Sequence, residues 1–187
     1  MKDRLPPMEM QAMSDAQRQA AEALIAGPRK AVVGPFIALL RSPELLDRMQ
    51  RVGEYLRFRN AIPQKLVELA ILMTARHVDN AFEWMLHQPL AVKEGVSRAT
   101  IDAINAGQRP ESMSDDEAAV HDFVRELLRT SFVPDAVYAR MAERFGEHGV
   151  VDLTATVGYF VTVCYVMNVA GTPPPTSDAA PLAAIRR

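Results

Sequence analysis

The chain has 187 residues, a formal net charge of −2, 49% hydrophobic and 24% charged residues, which fits one globular domain with room for a sizeable core. Lys and Arg are scattered rather than clustered, so no nucleic-acid surface is expected. The single cysteine, Cys164, excludes an intrachain disulfide and any CxxC redox or zinc pair.

Residues 1–13 read as an extended, Pro-containing arm without the apolar core of a secretory signal. A cytoplasmic location is the simplest expectation. Ser14-Asp15-Ala16-Gln17 has capping-box spacing and predicts a helix to about Ile25, closed by Gly27-Pro28. A loop with Arg29, Lys30, Gly34 and Pro35 follows, then a short apolar run, Phe36 to Leu40. Ser42-Pro43-Glu44 orders a cap, a first-turn proline and an acid, predicting a helix to about Phe58. Pro63 opens a helix ending near His77, and a helix from Asn80 runs toward Gly95 with a kink expected at Pro89.

A short helix is expected from Ser97 to Gly107, and Ser114-Asp115-Asp116-Glu117 is a second capping box, for a helix to Arg129 or Thr130. Another helix spans roughly Asp135 to Phe145 and stops at Gly146. The last, about Val150 to Ala170, is long and apolar enough to cross a membrane. It carries Asp152, three threonines and Asn168 without basic flanks, which favours a buried central helix and no membrane partner. No stretch alternates as a strand does, so the fold class is all-α: a helical domain over 14–171 and a Pro-rich tail over 172–187, mobile or wrapped on a neighbouring subunit.

Chemistry concentrates between Glu68 and Gly95. Asn80, Glu83 and His87 share one helix face within an arc of roughly 60°, and Glu68 lies one helix earlier on an otherwise apolar surface. If the two helices pack antiparallel, two carboxylates, an amide and an imidazole meet in one sheltered pocket suited to proton transfer. A plainer reading makes Glu83 and His87 a surface i,i+4 pair and Glu68 an ion-pair partner of Arg57 or Arg76. No ligand motif joins His77, Glu83 and His87, so no metal is expected. His121 and His148 sit in polar contexts and read as exposed.

The chain resembles the carboxymuconolactone decarboxylase family, related to the AhpD-type alkylhydroperoxidases. The resemblance spans roughly residues 5–172. It rests on Ala26-Gly27-Pro28-Arg29, Gly34-Pro35-Phe36, Ser42-Pro43-Glu44-Leu45, Glu68-Leu69-Ala70-Ile71-Leu72 with Ala75-Arg76, Phe82-Glu83-Trp84 with His87, Ala91, Gly95, and Gly158-Tyr159-Phe160. The redox branch carries a glutamate, a CxxC pair and then a histidine. On this chain the glutamate and histidine fall on Glu68 and His87, while Asn80 and Glu83 fill the cysteine positions. Thiol peroxidase chemistry, which needs a nucleophilic and a resolving thiol, is therefore not expected.

The resemblance implies an AhpD-like helical subunit assembling as a homo-oligomer, a trimer or hexamer. It also implies a cofactor-independent lyase of aromatic catabolism that decarboxylates a small unsaturated or lactone acid. In that picture His87 donates the proton, Glu83 orients the imidazole, and Glu68 relays the proton or donates a hydrogen bond. Asn80 binds a carbonyl oxygen, and Arg29, Arg57 and Arg76 compete to hold the carboxylate. Trp84 reads as core before substrate platform, and Tyr159 as a phenol able to reach the pocket. The alternatives are a non-catalytic ligand-binding oligomer and a lactone hydrolase or isomerase.

Overall fold

In the computed structural model, which describes residues 2–184, Ser14 and Ser114 each close a complete capping box. They start α1 (Asp15–Ala26) and α7 (Asp115–Thr130) where the spacing predicts. Between them lie α2 (Pro35–Leu39), α3 (Pro43–Phe58), α4 (Gln64–His77), α5 (Ala81–Lys93) and α6 (Arg98–Asn105). The last helix, α8, runs Asp135–Ala170, and a 3-10 turn at Met10–Ala12 interrupts the N-terminal arm. All regular elements among the described residues are helical.

The helix capped by Asn80 runs toward Gly95 as expected, α5 continuing through Pro89 to Lys93, since a proline one turn from a helix end removes only one hydrogen bond. The last two expected helices meet at Gly146, the expected stop, which leaves helical geometry at φ 66° and ψ 175°, so α8 is two helices joined across a kink. A side chain is strained at that φ, which is why glycine makes the kink.

α4 is the axis. Its residues from Leu66 to Ala75 are buried without interruption, as expected of a helix covered on all sides, and α5, α7 and α8 pack around it. Leu69, Ile71, Leu72, Trp84, Phe123 and Leu153 belong to this main core. A second cluster joins α1, α2 and α3 through Leu24, Phe36 and Leu46. α8 is long and apolar enough to span a membrane, yet 56% of its apolar window is buried against the rest of the chain. Asp152 on α8 is 4% exposed and accepts hydrogen bonds from the Tyr55 hydroxyl (3.1 Å) and the Ala61 amide (2.9 Å). Asn60 adds a bond to Thr156 (3.0 Å), so the α3–α4 connection is tied to α8.

As far as they are described, both terminal segments lie on their own chain. Arg41 donates to the carbonyl of Pro6 (2.6 Å), and Arg4 to the last carbonyls of α8, Val169 and Ala170. The tail, expected to be mobile or on a neighbour, returns across α5 and α6 as far as the described residues extend. Trp84 Nε1 (3.1 Å) and Gln88 Nε2 (2.6 Å) both donate to the Ala180 carbonyl, and Asn105 holds Pro181 and Ala183. Residues 185–187 of that tail lie outside the described residues.

Candidate active site

α4 and α5 pack face to face across the turn at Val78-Asp79, and Asp79 takes φ 57° to make the reversal. Asn80 caps α5 by accepting the Glu83 amide at 2.8 Å, which sets the helix register. Glu83 and His87, one turn apart, then face α4, and Glu68 meets them. His87 Nδ1 lies 2.6 Å from Glu68 Oε2, and His87 Nε2 lies 3.1 Å from Glu83 Oε2. All three side chains are at most 4% exposed. Gln64 donates to the other Glu68 oxygen at 3.0 Å, and Phe160 sets its ring edge-on to the imidazole, centroids 5.4 Å apart.

Burial by itself pushes the His87 imidazole toward neutrality, but its hydrogen bonds to Glu68 and then Glu83 outweigh that and raise its pKa above the ordinary 6.5. Burial likewise works to raise Glu68, and the hydrogen bond from His87 overrides it, leaving that carboxyl below its usual 4.5. Both directions favour an imidazolium paired with the Glu68 carboxylate.

Glu83 and His87 form one wall of a cavity of about 50 Å³, with Phe36, Phe82, Phe160 and Val163 as apolar walls. Arg29 and Arg57 also line it. Arg29 lies over the Phe36 ring at 4.6 Å and Arg57 over Phe58 at 5.2 Å. Arg29 Nε and Nη2 and Arg57 Nε are buried with no hydrogen-bond acceptor among the described residues. Desolvation, with the neighbouring Arg57 charge, lowers the Arg29 pKa. Tyr159 also lines the cavity, and burial pushes its phenol up to about 12, so it stays protonated.

Of the residues singled out in the sequence, Glu68, Glu83, His87, Arg29, Arg57 and Tyr159 converge here. Three do not. Asn80 is buried but points away, its amide nitrogen donating to the Cys164 carbonyl (3.2 Å) and Asn168 (2.8 Å); with its oxygen on Glu83, no atom is left for a ligand. Arg76 donates to the Asn105 carbonyl at 2.7 Å and faces a different cleft. Trp84 is fully buried and holds the tail. One further reading changes: His121, expected to be exposed, is 4% exposed and contacts Asp122. Cys164 is buried too, and burial drives its thiol pKa upward, which keeps it protonated.

Gly53, which the sequence reading passed over, leaves the room for Tyr159 and Arg29. A Cβ there collides with the Tyr159 hydroxyl and comes within 2.8 Å of Arg29 Nη2. Glycine inside a helix costs roughly 1 kcal/mol relative to alanine. Its place in the middle of α3, one turn before Arg57, was the available signal of a close approach.

Comparison with solved structures settles the architecture. A Ralstonia eutropha crystal structure described as an alkylhydroperoxidase AhpD core, an uncharacterized peroxidase-related protein, superimposes with a TM-score of 0.74 over 92% of each chain at 18% identity. An Agrobacterium tumefaciens protein of unknown function, described as a putative antioxidant defence protein AhpD, gives 0.66 at 16% identity, over 74% of this chain and 96% of its own. The fold is AhpD-like. No protein-family model and no curated protein matches the chain by sequence. At these identities the AhpD-like likeness speaks for the fold alone, and the chemistry has to be argued from the buried triad and its two arginines.

Proposed function

We propose that the protein is a cofactor-independent acid/base enzyme, a lyase decarboxylating a small unsaturated or lactone carboxylic acid. The observation that carries this reading is the buried Glu68–His87–Glu83 relay beside two arginines that line the same cavity. Two guanidiniums and an imidazolium against two carboxylates leave one positive charge, which suits a monoanionic carboxylate. Their unpartnered N–H groups supply the charge-assisted hydrogen bonds to hold it.

The cavity accepts a few non-hydrogen atoms, so the carboxylate end enters and the rest of the acid lies outside it. The apolar walls leave the carboxylate weakly solvated. The bond to the carboxyl carbon breaks, CO2 departs, and the electron pair passes into the conjugated carbonyl of the substrate. A proton must then reach carbon. Both imidazole nitrogens are engaged, and Nε2 makes the longer contact, to the cavity-facing Glu83. His87 releases its proton on that side, directly or through Glu83, while Glu68 fixes the ring from behind. Tyr159, protonated, hydrogen-bonds the carbonyl oxygen where charge develops. Disulfide cycling has no part, since Asn80 and Glu83 stand where a CxxC pair is required.

The test incubates the protein with a panel of unsaturated and lactone acids and follows CO2. The expected result is release by the wild type, with kcat lower by about 10²-fold or more in Glu83→Gln. Arg57→Gln raises KM by about tenfold. Saturable binding of an acid without any CO2 from the panel replaces the lyase reading with that of a ligand-binding protein.

Self-association belongs to the same proposal. The outer face of α8 exposes Val151, Ala155, Gly158, Thr162, Tyr165 and Val169 without a charge among them, and this stripe fits a second copy of the chain.

A further inference from the structure

Two helical turns beyond Glu68, the end of α4 walls a second cleft, of about 540 Å³, a size typical of small-molecule sites. Arg76 comes from α4, Arg109 from the loop after α6, and Arg125 and Arg129 from α7. No carboxylate among the described residues lines it. Two of these cations are neutralised nearby, Arg109 by Asp122 at 3.3 Å and Arg129 by Glu126 at 2.8 Å. Arg76 and Arg125 make no ion pair among the described residues. The negative end of the α4 dipole accounts for Arg76 in its last turn. It does not account for Arg125, which sits within α7. In a chain of net charge −2, converging guanidiniums repel one another and raise the local potential, which an anion relieves. The floor between them is apolar, made by Met73, Ile104 and Leu128.

We infer that this cleft is a second ligand site, for a small phosphate monoester with an aryl or alkyl body. Two unpaired guanidiniums match the charge of a phosphate monoester near neutral pH, close to −2. Their planar forks suit phosphate oxygens, and the hydrocarbon part covers the apolar floor. None of these residues lines the Glu83–His87 cavity, so this site stands or falls independently of the lyase proposal.

Phenyl phosphate is the probe, titrated calorimetrically into the full chain at low ionic strength. The expected result is saturable binding tighter than about 1 mM, weakened at least about tenfold by the paired substitution Arg76→Gln with Arg125→Gln, and weakened by added salt. Arg125 is exposed and Arg76 half-buried with one hydrogen bond to the Asn105 carbonyl, so the melting temperature of the variant falls by a few degrees at most. Inorganic phosphate binds several-fold more weakly because it misses the apolar floor, phenol does not bind, and Glu83→Gln leaves phenyl phosphate affinity unchanged. Absence of saturable binding, or equal affinity in wild type and the double variant, overturns the site. Inorganic phosphate binding as tightly as phenyl phosphate overturns the ligand class.

Discussion

His87 engages both ring nitrogens with buried carboxylates, so the charge of all three residues is one linked quantity and leaves a mark on stability. A histidine whose pKa is raised by folding stabilises the native state below its unfolded value, 6.5, and loses that contribution as pH climbs through the folded value. Glu68, depressed by folding, contributes above its unfolded 4.5 and loses that as pH falls through its lower folded value. The relay therefore stabilises most between about pH 4.5 and 6.5, and urea midpoints measured across pH should decline on both sides of that window. A Glu68→Gln, His87→Gln double variant should flatten the curve, and an unchanged curve would show that the pair does not titrate as placed. His87→Ala strands two buried carboxylates and should cost on the order of 3–5 kcal/mol, which makes Glu83→Gln the cleaner probe of chemistry. Gly53→Ala drives a methyl into the Tyr159 phenol and the Arg29 guanidinium. Overpacking of this kind costs about 1–3 kcal/mol. It should also weaken binding of the carboxylate substrate, whereas a purely local strain would lower the melting temperature alone.

At the scale of elements, the connection from α3 to α4 is held by one buried carboxylate. Asp152→Ala leaves the Ala61 amide without its acceptor and the Tyr55 hydroxyl with only its 3.0 Å contact to His148 Nε2, and should destabilise by on the order of 2 kcal/mol. Hydrogen exchange at Ala61 and Ile62 checks the mechanism: protection there should fall before protection in α7. What the sequence showed and what it hid divides along the same line. Helix starts at Ser14 and Ser114 are local chemistry, closed within four residues, and were legible. So was the shared face of Glu83 and His87, which follows from helical spacing. The meeting with Glu68 needed one further assumption, that α4 and α5 pack antiparallel. The choice among Arg29, Arg57 and Arg76 was not legible, because each guanidinium has enough reach and tertiary packing decides its direction. Asn80 misled for a related reason: an amide at a helix start is consumed by the backbone before it can serve a ligand. The path of the tail was hidden as well, since Trp84 and Gln88 hold it through a backbone carbonyl that any residue at position 180 other than alanine would also present.

For the whole molecule, the unresolved physical demand is the outer face of α8. Val151, Tyr165 and Val169 are each more than half exposed, and with Ala155, Gly158 and Thr162 they recur at alternating steps of four and three, the seam of a two-helix contact. Thr162 returns its hydroxyl to the Gly158 carbonyl at 3.0 Å, so the polar atom is satisfied within the helix. An antiparallel copy related by a two-fold axis places Val151 opposite Val169, Ala155 opposite Tyr165, and Gly158 opposite Thr162. Each large side chain then meets a small one or its equal, the self-complementarity that a two-fold contact requires, and Gly158 lets the helices approach closely. A two-fold seam gives a dimer, and the same seam can join two trimers into a hexamer. The expected mass in solution is at least twice the 20.7 kDa of one chain, read by light scattering at micromolar concentration. Tyr165→Glu places a charge against Ala155 of the partner copy and should halve the mass while leaving the relay intact, so that CO2 release per chain is retained. A wild-type monomer under those conditions, or a Tyr165→Glu variant that assembles as the wild type does, removes the seam and leaves the stripe as ordinary exposed surface.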